Sequence, residues 1–201
     1  MATLIDSYSE TYQTSGRASN GDVKVGQSFT NLADIYNISS CKFYLQKIGS
    51  PTGNIYAKLY AHDGTYGTSS VGTGNPLATS VAYDVSTIST SYSLIEFTFN
   101  TSYAMQSSTY YVIVIDMNGV GDGDNYVMVG RDTVTKLAPG NCCVYSGSWL
   151  VASYDLIFYI YGNALVVGPA NIKTYNTNLL ANIKTINTNA ISNVKSLNTN
   201  V

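Results

Sequence analysis

The stretch Tyr110-Tyr111-Val112-Ile113-Val114-Ile115 decides the fold class. It is rich in β-branched and aromatic residues and apolar at every position, so both of its faces need cover. That pattern predicts a central strand packed on two sides. Outward from it, shorter runs alternate instead. Cys41, Phe43 and Leu45 interleave with Lys42, Tyr44 and Gln46, and Ile55, Ala57 and Leu59 interleave with Tyr56, Lys58 and Tyr60. Each such run has one apolar and one wet face, the period-2 signature of a half-buried strand. Gly49-Ser50-Pro51-Thr52-Gly53 separates the two, and a hairpin between them is the economical expectation. Further strands are expected over residues 77–85, 94–99, 110–117, 126–130, 142–145 and 156–161, with Phe97 and Phe99 turned to the core. Eight or nine short strands without a 3.6-residue stripe between them predict an all-β fold: an antiparallel two-sheet, jelly-roll-like sandwich followed by a short repetitive tail.

Composition narrows the function. The chain has 201 residues, of which 11% are charged and 45% hydrophobic, and its formal net charge is -2. Binding to a phosphate backbone needs a basic field, so nucleic acid is not an expected partner. No run approaches the ~20 apolar residues of a membrane span, and MATLIDSYSETYQTSGR has neither the basic nor the apolar region of a secretory signal. Low charge with 18 Tyr and abundant Ser, Thr and Asn nevertheless fits a virion or extracellular surface. A phage structural protein reconciles the two, since it is made in a host cytoplasm and ends outside. Cys41, Cys142 and Cys143 are an odd count and read as buried small hydrophobes rather than a disulfide framework.

Little in the chain carries catalytic chemistry. It lacks the phosphate-cradling, dinucleotide, nucleophile-elbow and zincin motifs, and its one imidazole, His62, is placed in a surface turn with Asp63 and Gly64. Glu96 paired with an Asp is the remaining route to acid–base chemistry, and no such pair stands in a recognisable motif. The expectation is a non-enzyme. The segment 116–125 is the most polar cluster, and Asp116, Asp122, Asp124 and Asn125 are the oxygen ligands it would offer a calcium ion. It is no EF-hand, because Val120 takes the third ligand's place and no Glu closes the loop. An ordinary Asx-rich turn needs the same residues. Tyr66, Tyr83, Tyr92, Tyr103 and Trp149 lie in or beside expected loops and are candidates for stacking on surface glycans.

Several short pieces recur in a known order. Gln27-Ser28-Phe29, Phe43-Tyr44-Leu45-Gln46-Lys47, Pro51-Thr52-Gly53-Asn54-Ile55, Ala57-Lys58-Leu59-Tyr60, Thr109-Tyr110-Tyr111-Val112-Ile113 and Trp149 before Asp155-Leu156-Ile157-Phe158 together resemble the non-catalytic jelly-roll modules of bacterial surface and phage structural proteins. The resemblance covers residues 27–162 and implies a displayed, non-catalytic domain.

At Gly162 the texture changes. Residues 1–162 are expected to form the sandwich, with 1–26 an N-terminal arm or first strand, and 163–170 a linker. Three copies of an 11-residue unit follow over residues 171–201, beginning Asn171-Ile172-Lys173-Thr174, Asn182-Ile183-Lys184-Thr185 and Asn193-Val194-Lys195-Ser196. Such repeats bury their apolar side only against neighbours. As a helix the unit would place Ile172, Tyr175, Leu179 and Ile183 on one seam. Asn-Thr-Asn in every copy favours short β segments with turns. In either form Ile172, Tyr175, Leu179, Ile183, Ile186, Ile191, Val194 and Leu197 are the expected assembly contacts. The unit also resembles tails of phage virion proteins, and that resemblance implies a homotrimer, or docking on other virion subunits.

Overall fold

A computed structural model describes residues 2–18, 24–31, 34–101 and 103–165. The repeat positions expected to mediate assembly lie outside the described residues. In chain order the strands are β1 (Thr3–Tyr8), β2 (Ser15–Ala18), β3 (Lys24–Asn31), β4 (Tyr36–Ile48), β5 (Asn54–Asp63), β6 (Val71–Thr79), β7 (Tyr83–Asp84), β8 (Ser93–Thr98), β9 (Ala104–Met105), β10 (Thr109–Asp116), β11 (Tyr126–Asp132), β12 (Cys142–Tyr145), β13 (Trp149–Val151), β14 (Asp155–Leu156) and β15 (Phe158–Ala164). Two single turns of 3-10 helix, Glu10–Tyr12 and Val85–Thr87, are the helical elements among the described residues.

The strands form two antiparallel sheets. One runs β13-β12-β3-β10-β5-β6 with β7 beside β5; the other runs β1-β15-β4-β11-β14, with β2 on β11 and both β8 and β9 on β4. The chain passes from one sheet to the other between β3 and β4, between β4 and β5, and on either side of β10, a wrapping that makes the sandwich jelly-roll-like. Its inner faces meet in one core. Phe29, Ile55, Leu59, Ile113 and Ile115 come from one sheet, and Phe43, Leu45, Phe97 and Leu156 from the other, all at most 1% exposed. Full burial of such a side chain is worth about 1.5–3 kcal/mol. Phe43 and Phe97 also meet edge to face, 6.0 Å between centroids.

β10 lies between β3 and β5, as its two apolar faces require. Tyr111, Ile113 and Ile115 enter the main core, while Val112 and Val114 are buried on the outer face with Tyr60 and Cys143. The expected β4–β5 hairpin does not form. The two strands sit in opposite sheets, their apolar faces turned towards the common core, and β5 pairs with β6. Alternation specifies which face is buried, and packing face to face satisfies it as well as pairing side by side. Residues 77–85 are likewise not one strand. Ser80 interrupts them, its hydroxyl accepting from Ala57 N at 2.9 Å and donating to Val81 O at 2.8 Å. The last strand continues through Gly162 to Ala164. That glycine marks a register shift in the β15–β4 pair, where a Cβ would lie 2.7 Å from Ile5 Cδ1 and 3.0 Å from Asn37 O.

Candidate functional site

The registers of five neighbouring strands bring one residue from each into line. Trp149 pairs with Tyr145, Tyr145 with Lys24, Lys24 with Asp116, and Asp116 with Tyr56. Their neighbours Val25, Ile115 and Ile55 point into the core, so Lys24, Asp116 and Tyr56 belong to the outer face of the seven-stranded sheet. Four inter-strand spacings give the row a length of about 19 Å. Aromatic rings stand at both ends and charge at the centre.

The charged centre is compact. Lys58 Nζ donates to Asp116 Oδ2 at 2.7 Å, and Lys24 Nζ stands 3.8 Å from the same oxygen. Asp116 Oδ1 accepts from Asn118 N at 3.1 Å. The carboxylate side chain is 7% exposed, whereas each lysine is 22% exposed, so the anion lies beneath and the two ammonium groups face outward. Lys24 Nζ lies 4.9 Å from the Tyr145 ring centroid and reaches Tyr60 Oη at 3.4 Å. Rings beside an ammonium stabilise its charge through their quadrupoles.

A small second core supports the row. Tyr60, Val112, Val114 and Cys143 are buried there, with Val71 and Trp149 packed on them. Trp149 meets Tyr60 edge-on at 5.7 Å and Tyr145 at 5.2 Å. Gly72 makes room for the indole, since a Cβ there would sit 2.9 Å from Trp149 Cζ2. The end of the β5–β6 hairpin is pinned across this face by Asn141, whose Oδ1 accepts from Ser70 N at 3.0 Å and whose Nδ2 donates to Ser70 O at 3.1 Å. Burial pushes the Cys143 thiol up to about 12, and the three cysteines are buried without a disulfide.

Of the five aromatic residues singled out from the sequence, Trp149 alone reaches this row. Tyr66 stacks on Tyr110 at 4.3 Å, near His62, which is a half-buried residue of β5 rather than part of a turn and has Ser70 Oγ 2.9 Å from its Nε2. Tyr83 packs on Phe97, and Tyr103 on Tyr111, both against the main core. Tyr92 stacks on Tyr44 of the other sheet, its hydroxyl 2.0 Å from where a Cβ of Gly16 would be. Tyr56, Tyr145, Lys24 and Lys58 escaped the sequence reading, although the wet side of β5 carried Tyr56, Lys58 and Tyr60. Only the register aligns them with β3, β10 and β12.

The acidic loop is organised by protein groups. Asp122 Oδ1 accepts from Asp124 N, Asn125 N and Asn125 Nδ2 at 2.8–3.1 Å, and these bonds hold its carboxyl below the usual range. Asn125 Oδ1 in turn accepts from Ser50 N at 2.7 Å, closing a polar cleft of about 220 Å³ between the two loops. Asp116 is engaged by the two lysines. Among the described residues no three His, Cys, Asp or Glu side chains gather at metal-binding spacing.

Two further buried carboxylates are partners across the β11–β14 pair. Asp132 accepts from Tyr8 Oη at 2.7 Å and from the N–H groups of Val134, Thr135 and Lys136 at 2.8–3.1 Å, with the Thr135 hydroxyl also on it. Asp155 accepts from Gln27 Nε2 at 3.0 Å and Ala138 N at 3.2 Å. Burial pushes Asp155 above the ordinary carboxylate range. The pair clamps residues 133–138 to the sandwich. Glu96 is on the surface, 4.0 Å from Lys42.

No family model and no curated protein matches the chain. Among solved structures it is similar to the cysteine protease and lectin-like domains of Cwp84, a surface layer associated protein of Clostridium difficile, at a TM-score of 0.44 and 13% identity. The match covers 72% of this chain and 33% of that one. No residue role passes to this chain at that level of likeness.

Proposed function

We propose that the chain is a non-catalytic adhesion module of a virion or cell surface, binding glycan along the row from Trp149 to Tyr56. The row itself carries the reading. Aromatic faces pack on the C–H faces of sugar rings, and neighbouring charged groups and hydroxyls bond to the sugar's hydroxyls. A half-buried row of about 19 Å suits an extended oligosaccharide better than one small molecule. The carboxylate of the row is neutralised by Lys58 and Lys24, which fits binding rather than proton transfer. Binding by ring stacking and hydrogen bonds calls for no cofactor, so the reading assigns none to the row.

The three repeats of residues 171–201 support the second half of the proposal: the tail anchors the sandwich, as a trimer or on other virion subunits. A glycan array probed with the wild-type chain and with Trp149→Ala and Tyr145→Ala variants tests the binding half. Retention of a set of oligosaccharides, weakened at least about tenfold by either variant, is the expected result. An array without retained glycans, or retention indifferent to both substitutions, overturns it.

A further inference from the structure

We infer that the row selects acidic sugars: oligosaccharides whose carboxylate or sulfate group seats on Lys24 and Lys58 while a ring stacks on Tyr145 or Trp149. The inference rests on the glycan-binding reading and adds the ligand's charge to it. Among the described residues, two ammonium groups share one carboxylate at the centre of the row, a surplus of one positive charge in a chain whose formal net charge is -2. The arrangement is layered. Asp116 is 7% exposed beneath, occupied on one oxygen by Asn118 N and on the other by Lys58, so a ligand meets the lysines first.

Lys58 gives one short bond to Asp116, whereas Lys24 stands 3.8 Å from that oxygen, its one hydrogen-bond partner among the described residues being Tyr60 Oη of the second core at 3.4 Å. An ammonium has three donors, so Lys24 has N–H groups left for an anion. The flanking Tyr145 ring fixes it 4.9 Å from an aromatic centroid, beside the surface on which a sugar ring would lie. A partly exposed ammonium that gains a charge-assisted bond favours the anionic ligand by at least about tenfold.

Trp149 is the chain's single tryptophan, so its emission reports on the row. The test titrates the full chain with a polyuronic oligosaccharide, its carboxyl-reduced neutral counterpart and a sulfated oligosaccharide of equal length, at low and at physiological salt. The expected result is binding of at least one acidic form at least about tenfold tighter than the neutral form, with the gap narrowing as salt rises. The uronic and sulfated arms tell carboxylate from sulfate recognition. Lys24→Gln should bring acidic and neutral affinities together, and Lys24→Arg should restore the difference, a rescue that misfolding would not produce. Equal or tighter binding of the neutral form, or a charge preference unchanged in Lys24→Gln, overturns the inference and leaves glycan binding standing. Silence in all three arms overturns both.

Discussion

Asp132 carries more of the fold than its single position suggests. Burial pushes its carboxyl upward, but hydrogen bonds from Thr135 and Tyr8 and from the Val134 and Lys136 N–H groups outweigh that and hold it well below the ordinary carboxylate range. Replacing it with Ala removes at once the acceptor shared by the Tyr8 hydroxyl, the Thr135 hydroxyl and three backbone N–H groups. The expected loss is about 3 kcal/mol of unfolding free energy, read from a denaturant titration. The pH dependence has a definite sign. A group depressed in the folded state stabilises above its unfolded value of about 3.9 and loses that contribution as pH falls through its folded value. The stability gap between wild type and Asp132→Ala should therefore be level from about pH 5 to 7 and shrink below about pH 4. Asp6 and Asp155 run the other way, because burial raises both above the usual range. Their contribution is present below the unfolded value and is lost as pH rises through the folded one. A gap that widened on acidification would show that Asp132 is not the ionised clamp.

At the scale of elements, the β5–β6 hairpin does two jobs: it extends the seven-stranded sheet, and its end crosses the outer face to support Trp149. Asn141 holds that end through paired bonds to Ser70, so Asn141→Ala should speed amide exchange over residues 64–72 while leaving β10 protected. Uniform acceleration across both sheets would instead mean that Asn141 supports the whole sandwich. Gly140 gives a harsher test, since a Cβ there would lie 2.0 Å from Ser28 O, and Gly140→Ala should lower the thermal midpoint by several degrees. The strands themselves were legible because side-chain alternation is local: β10 read as central from Val112 and Val114, and Phe97 and Phe99 read as core. Partners were not legible. A hairpin between β4 and β5 and a crossover between sheets bury the same Phe43 and Leu59, and only tertiary packing chooses. The row from Trp149 to Tyr56 was hidden for the same reason, because its members come from five strands and its geometry exists only in the registers. Asp116 drew notice for its acidic neighbours downstream, while its actual partners, Lys24 and Lys58, are distant in sequence.

For the whole molecule, the proposed division of labour is a sandwich for binding and a repeat segment for assembly, and truncation tests it. Leu165 N donates to Ile35 O at 2.9 Å, so a truncation ending at Leu165 keeps β15 intact where one ending at Gly162 would cut it. The truncated chain should be a monomer by mass photometry and the full chain a trimer; equal masses would remove the tail's self-association. Calcium should leave the thermal midpoint where chelator leaves it, because Asp116 is already paired and Asp122 already bonded; a rise with millimolar calcium would place an ion in the 116–125 loop. The proposed binding row has one unambiguous reporter in the single tryptophan. In a proton–nitrogen correlation spectrum the indole N–H of Trp149 is one cross-peak. That peak should shift saturably as an acidic oligosaccharide is added, together with the backbone amides of Tyr145 and Lys24. A bound oligosaccharide that leaves the indole peak unmoved and shifts amides of the other sheet would contradict binding at the row.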